Sequence, residues 1–196
     1  MSSSSGESDV FVGIDDGMFL KGKSKWTVLV GVKFNGLSWE RTALEKIYVD
    51  QLNGTDSALR LLERLVEKGE RCTVFLDGVT FAGFNVIDPN ALYERTKFSI
   101  VSIFRRRPNR EKIERALKLH FSDWMLRWEI ISRVSDEIDE VSIRGRKLFF
   151  YSPNNVALAS SMIRRMALVS KIPEPLRIAD MLAKELGRFF LSFTYT

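Results

Sequence analysis

An α/β fold built on one mixed sheet is predicted by three features of the sequence. Residues 26–34 (WTVLVGVKF) and 38–49 are β-type runs separated by Asn35-Gly36, a dipeptide that suits a two-residue hairpin, and residues 9–16 (DVFVGIDD) place a third short strand ahead of them. Residues 54–69 carry apolar side chains at helical spacing and lead straight into the apolar run 72–77, which makes a strand–helix–strand unit. Further helical stripes then alternate with the strand-like segment FSIVSIF at 98–104 and with LFFY inside a hairpin at 141–152. A meander followed by strand–helix–strand units is the pattern of a mixed sheet covered by helices.

Bulk properties bound the rest. At 196 residues and 45% apolar content the chain can bury one sizeable core, so residues 9–196 are read as a single domain and the polar residues 1–8 as a disordered tail. A lone cysteine, Cys72, excludes an intramolecular disulfide and is read as a small buried apolar residue. The start lacks the apolar centre of a signal peptide and no later run is long enough to span a bilayer, so a cytoplasmic protein with no membrane partner is expected. Nothing in the sequence indicates an oligomeric state.

Each element has a local cause. The strand at residues 9–16 ends in Asp15 and Asp16, ahead of Gly17 and a basic loop containing Lys21 and Lys23. In the first helix Ala58, Leu61, Leu62, Leu65 and Val66 form one face, with Gly69 as a stop; Thr55 is placed to cap it, and Asp56 sits in its first turn, where the helix dipole favours negative charge. The strand at residues 72–77 ends in Asp77-Gly78, which by itself is also an ordinary turn dipeptide. Asp88-Pro89-Asn90 starts a short helix. Beyond Pro108, Ile113, Ala116, Leu117 and Phe121 form the inner stripe of a basic helix. His120 lies beside that stripe and is read as a packing residue, and Trp124 and Trp128, one turn apart, as core or interface positions. Arg144-Gly145-Arg146 turns a hairpin, and Leu158, Met162, Met166 and Val169 mark a helix. From Ile172, Leu176, Ala179, Leu182, Ala183 and Leu186 mark another, while the terminal FFLSFTYT fits either a strand or a packed tail.

Charge is clustered. The net charge is +5 and the pI about 9.4, a mild bias, yet residues 105–118 hold seven Lys or Arg against two Glu. Arg105, Arg106, Arg107 and Arg110 begin this patch and, with Lys21 and Lys23, are the candidate phosphate contacts; a solvated helix face explains the later part equally well.

Asp15, Asp56, Asp77 and Asp180 form the chemical pattern: acids at the ends of two strands, in a first helical turn and on a late helix. Hard divalent cations take oxygen ligands and keep other positions for water and phosphate, so such a set suits Mg²⁺, with Mn²⁺ as an alternative, and phosphodiester hydrolysis. Singly, Asp15 and Asp56 are explained as turn and helix-start acids, and Asp180 as an ion-pair partner of Arg177. The lack of Cys and His at ligand spacing argues against zinc.

The order GIDDGMF, GTDS, VFLDGVTFAGFNVID, IPEPLRIAD, running from about Val10 to Leu186, resembles the archaeal relatives of endonuclease V, a family associated with deoxyuridine-directed endonuclease activity. The resemblance implies a ribonuclease-H-like fold: a five-stranded mixed sheet, its first three strands antiparallel, flanked by helices. It also implies that Asp15, Asp56 and Asp77 bind metal and that Asp180 completes the catalytic set. The chain departs from endonuclease V proper in having Val79-Thr80-Phe81 in place of a Gly and a His-Pro, and in lacking the Pro-Tyr-Ile-Pro wedge. The expectation is a Mg²⁺-dependent DNA-repair endonuclease that nicks near a deaminated base, deoxyuridine favoured over deoxyinosine. Gly78, Gly83, Phe84 and Asn85 would form the pocket for the extruded base. The alternatives are a non-catalytic nucleic-acid-binding module on the same fold and an RNA-directed nuclease.

Overall fold

The computed structural model describes residues 9–194; the tail expected at residues 1–8 lies outside the described residues. Strands β1 (Val10–Asp16), β2 (Trp26–Asn35) and β3 (Ser38–Tyr48) form the antiparallel meander. Helix α1 (Gly54–Leu65) leads to β4 (Cys72–Asp77), which runs parallel to β1. A small hairpin of β5 (Thr80–Phe81) and β6 (Asn85–Val86) follows, then α2 (Pro89–Thr96) and β7 (Ser99–Phe104), parallel to β4. Helices α3 (Arg110–His120) and α4 (Trp124–Asp136) precede β8 (Asp139–Ile143) and β9 (Arg146–Tyr151), and α5 (Val156–Met166) and α6 (Glu174–Thr194) close the chain.

The sheet has seven strands in the order β3-β2-β1-β4-β7-β9-β8, rather than the expected five. The hairpin at Gly145 does not stand apart: β9 pairs antiparallel with β7, Ser102 facing Tyr151 and Phe104 facing Phe149. The physical reason is that β7 is apolar and buried, so its outer row of N–H and C=O groups needs a partner strand. The terminal FFLSFT, expected as a strand or a packed tail, is the packed end of α6 and not a strand, because Leu186 and Phe190 continue the stripe that packs on the sheet.

Alternation along the strands sorts the core into two layers. Phe11, Phe75 and Val101 face α5 and α6, whereas Val12, Ile14, Val74 and Leu76 face α1 and α2. The first layer closes through glycine. A Cβ on Gly13 would lie 2.2 Å from the backbone of Pro175 and Leu176, and one on Gly187 would lie 2.2 Å from the backbone nitrogen of Met18. β1 and α6 therefore touch backbone to backbone, which fixes the height of every α6 side chain over the end of β1. Gly13→Ala is expected to cost about 3 kcal/mol in urea denaturation, the upper part of the usual range for overpacking, because backbone must move. A loss below about 1 kcal/mol would mean that the seam yields. Among the described residues no helix is long and apolar enough to cross a membrane.

Candidate active site

The parallel register pairs Ile14 with Leu76, so Asp15 and Asp77 occupy the next rung on neighbouring strands and the same face. That face is the one covered by α6. Leu176 is held against Gly13, and Asp180, one turn later on α6, arrives above Asp15. One carboxylate oxygen from each of Asp15, Asp77 and Asp180 lies within 4.8 Å of the others. Asp15 is the deepest of the three, only 6% exposed, and its Oδ1 accepts from the Asp16 backbone N–H at 2.8 Å.

Two cations border the triad. The Arg105 guanidinium lies 3.6 Å from Asp77 and 3.4 Å from Asp180, and the Lys184 ammonium lies 2.6 Å from Asp180. Burial, then the charges of Asp77 and Asp16, push the Asp15 carboxyl up to about 9. Burial also raises Asp77, partly offset by Arg105. Burial acts the same way on Asp180, but hydrogen bonds from Lys184 and Asp15 and the charge of Arg105 outweigh it and hold Asp180 below the usual carboxylate range. These influences favour a protonated Asp15 beside an ionised Asp180. Three converging carboxylates need protons or a cation, and a donor set made only of oxygen fits a hard divalent ion.

Asp56 stands outside this cluster. It lies on α1, across the sheet from α6, and is exposed in an ion pair with Arg95 at 2.8 Å. Thr55 does not cap α1 either; the N-cap position is Asn53, and the Thr55 hydroxyl accepts from the Asp88 backbone N–H. Asp16 points away from Asp15, as strand alternation requires, and accepts from the Ala82 N–H at 2.9 Å; burial raises its carboxyl to about 6. His120 is exposed at the end of α3 and is not a packing residue.

The glycine-rich segment divides into two parts. Gly78, at φ +87°, lines a cavity of about 310 Å³ beside Asp77, together with Val79, Phe104, Arg106 and Ser135. Gly83, Phe84 and Asn85 do not reach it, because the β5–β6 hairpin turns them towards the loop after β3. A Cβ on Gly83 would strike the Asp50 carboxylate, which accepts from the Phe84 N–H at 2.8 Å. Asn85 is fully buried, donating to Tyr48 O and Asn53 Oδ1 and accepting from the Gly54 N–H. The buried Arg127 ties the same loops together through the carbonyls of Asp50, Gln51 and Phe84, and is itself held by Asp123. Gly83, Phe84 and Asn85 are therefore a brace for the site.

Among the basic residues, Arg105 reaches the acids and Arg106 lines the cavity. Arg107 donates to Ile138 O and covers the Phe149 ring, while Arg110 pairs with Asp136 and covers Trp128, so both are occupied by packing. Lys21 and Lys23 are exposed on the turn between β1 and β2. Lys184 was missed at the sequence level, although its i, i+4 spacing from Asp180 was there to be read; Asp50 and Arg127 carry no such local signal.

Two carboxylates at the ends of parallel strands and a third from the helix that covers them, with a basic rim and an adjacent cavity, make the arrangement of a nuclease-type hydrolase. The fold is that of human endonuclease V, at a TM-score of 0.60 and 16% identity over 95% of this chain and 87% of that one. It is also that of a Ciona intestinalis endonuclease V solved with a 24mer DNA containing an inosine followed by a ribo-adenosine, at 0.58 and 13% identity over 95% and 87%. A protein of unknown function from Archaeoglobus fulgidus superposes at 0.77, 25% identical over 89% of this chain and 96% of that one. UPF0215 proteins are 34% identical in Methanothermobacter thermautotrophicus, covering 88% of this chain and 84% of the relative, and 34% in Pyrococcus furiosus, covering 90% and 91%. The profile described as Endonuclease dU matches residues 10–187, and the chain belongs to that family.

Proposed function

We propose that the protein is a divalent-cation-dependent DNA-repair endonuclease that hydrolyses a phosphodiester near a deaminated base, deoxyuridine favoured over deoxyinosine. The observation that carries this reading is the convergence of Asp15, Asp77 and Asp180 beside the Gly78 cavity. These three residues hold the ion, Mg²⁺ or Mn²⁺, in place of the Asp15, Asp56 and Asp77 set expected from sequence. When bound, the ion supplies Lewis acidity at the phosphate and lowers the pKa of its water. Arg105 then has a second use: its guanidinium, already between Asp77 and Asp180, turns to the phosphate oxygens. Arg106, Lys21 and Lys23 extend the phosphate track, so affinity falls steeply with salt.

The cavity supports the base-extrusion part of the reading. Its apolar wall of Val79 and Phe104 excludes water from a flat ring, Gly78 lets that ring approach the backbone, and Thr80 and Ser135 offer polar contacts at the edge. A deaminated base pairs or stacks less well than a normal one and so costs less to extrude. The deoxyuridine preference is supported by the family and by the departures from endonuclease V after Asp77-Gly78.

The test is a set of end-labelled substrates with Mg²⁺: duplexes bearing one deoxyuridine, one deoxyinosine or no lesion, and an RNA of the same sequence. Nicking of the deoxyuridine duplex at least about tenfold faster than the others is expected, a difference of about 1.4 kcal/mol in the barrier. Equal rates on damaged and undamaged DNA would remove the lesion preference. Faster cutting of RNA would change the substrate class.

A further inference from the structure

A second cleft opens on the other side of the acids. It has a volume of about 300 Å³ and is lined by Met18, Lys23, Lys25, Trp26, Gly187 and Phe190. In the strand order, the Gly78 cavity lies at the ends of β4 and β7, this cleft at the start of β2, and β1 with Asp15 lies between them. Two walls of the cleft belong to segments that also carry the acids. Met18 follows Asp15 by three residues, and α6 carries Asp180 and Phe190 some 15 Å apart along its axis.

The cleft's chemistry is that of a stacking platform with an anion-attracting rim. The Trp26 and Phe190 rings meet at 5.6 Å with an interplanar angle of 57°, forming a corner, and the Lys46 ammonium lies 5.0 Å from the Trp26 ring centre. Lys23 and Lys25 complete the rim, and among the described residues no carboxylate lines the cleft. Met18 in its wall is 42% exposed, and beyond it Phe189 is 55% and Phe193 71% exposed, an apolar extension of the cleft. Aromatic faces interleaved with lysines take nucleobases and phosphates together.

We propose that this cleft is a second nucleobase subsite, stacking an unpaired base of the cut strand a few nucleotides away from the base held in the Gly78 cavity, with the scissile phosphate at the acids between them. The proposal rests on the endonuclease reading and adds to it. Two separated base sites on one strand require that strand to be unpaired across the acids, so the enzyme favours single-stranded, frayed or mismatched DNA over intact duplex around the lesion.

The experiment uses single-stranded oligonucleotides carrying one deoxyuridine, in which each of the four nucleotides on either side is replaced in turn by an abasic residue. Wild type is expected to lose about tenfold or more in kcat/KM, and in affinity by fluorescence anisotropy, when one particular flanking base is removed. Phe190→Ala and Phe190→Leu lose a similar factor on the intact oligonucleotide and no longer sense that abasic position; Phe190→Tyr behaves as wild type. Unchanged abasic sensitivity in Phe190→Ala, or sensitivity at no flanking position, overturns the subsite. A Phe190→Ala protein that changes only its oligomeric state, by light scattering, assigns the cleft to self-association and overturns it equally. If wild type cuts the intact oligonucleotide without this coupling, the subsite alone fails. If it cuts nothing, the endonuclease reading fails, and the anisotropy series still decides the subsite.

Discussion

Asp77→Asn is expected to reduce Mg²⁺-dependent nicking of a deoxyuridine duplex about 10³-fold while leaving the protein folded. Changes to outer partners of a metal site usually cost 10- to 100-fold, and loss of a ligand that shares the ion with two others costs more. Asp77 is the right residue for this test because it has the fewest structural duties in the triad. Asp15 is deeply buried and hydrogen-bonded to the backbone of its neighbour, and Asp180 anchors Lys184, whereas Asp77 has Arg105 at 3.6 Å and a side chain 25% exposed. The amide is isosteric and uncharged, so it removes repulsion with the ionised Asp180 and relieves the cost of burying a charge, which leaves the metal-free protein folded. Two readings together distinguish a chemical role from a folding defect: cleavage falls, and Mg²⁺ no longer raises the melting temperature. Equal activity in the two proteins would end the metal-nuclease reading.

The strand acids were legible because a strand end is a local feature. An apolar β-type run followed by Asp-Gly or Asp-Asp-Gly announces where a carboxylate emerges, and the same pattern occurs at Asp15 and Asp77. What one residue cannot announce is which face its helix will cover. Asp56 and Asp180 look equivalent as helix-borne acids, yet α1 packs under Val12, Ile14 and Leu76 while α6 packs over Phe11 and Phe75. The choice is made by the backbone contact at Gly13, a long-range fact that no periodicity encodes. The hairpin after Asp77 is ambiguous in the sequence for a related reason. Glycine and phenylalanine in a loop suit a base pocket and a tight brace equally, and the decision lies with Asp50 and Arg127, 34 and 43 residues from Phe84 in the chain. The extra two strands follow the same logic, since the LFFY run was recognised as a strand but its partner, β7, depends on tertiary pairing.

The metal-free protein is expected to lose stability as pH rises from 6 to 8, the reverse of the usual behaviour of a protein stabilised by ionised carboxylates, and Mg²⁺ is expected to abolish the trend. In the unfolded chain the Asp15 carboxyl titrates near its ordinary 3.8, whereas burial and the neighbouring acids raise it to about 9 in the fold; Asp16 is raised to about 6. Between those values the folded state holds protons that the unfolded state has released. Stability therefore falls with pH, by about 1.4 kcal/mol per pH unit for each proton held, starting above the unfolded value and ending once the folded value is passed. Above pH 6 the ordinary carboxylates are already ionised, so the slope there belongs to the site, Asp15 above all. A divalent ion competes with the proton that burial favours on Asp15, so its binding releases protons and stabilises more at pH 8 than at pH 5. Urea midpoints at pH 5, 6.5 and 8, with and without Mg²⁺, measure both effects. Asp15→Asn lacks the proton with the highest folded pKa, and between pH 6.5 and 8 its metal-free midpoint is expected to fall much less than that of wild type and to ignore Mg²⁺. A wild-type midpoint that rises with pH in the absence of metal, or an Asp15→Asn protein with the wild-type slope, would show that the triad is ionised without a cation and that Arg105 and Lys184 alone neutralise it.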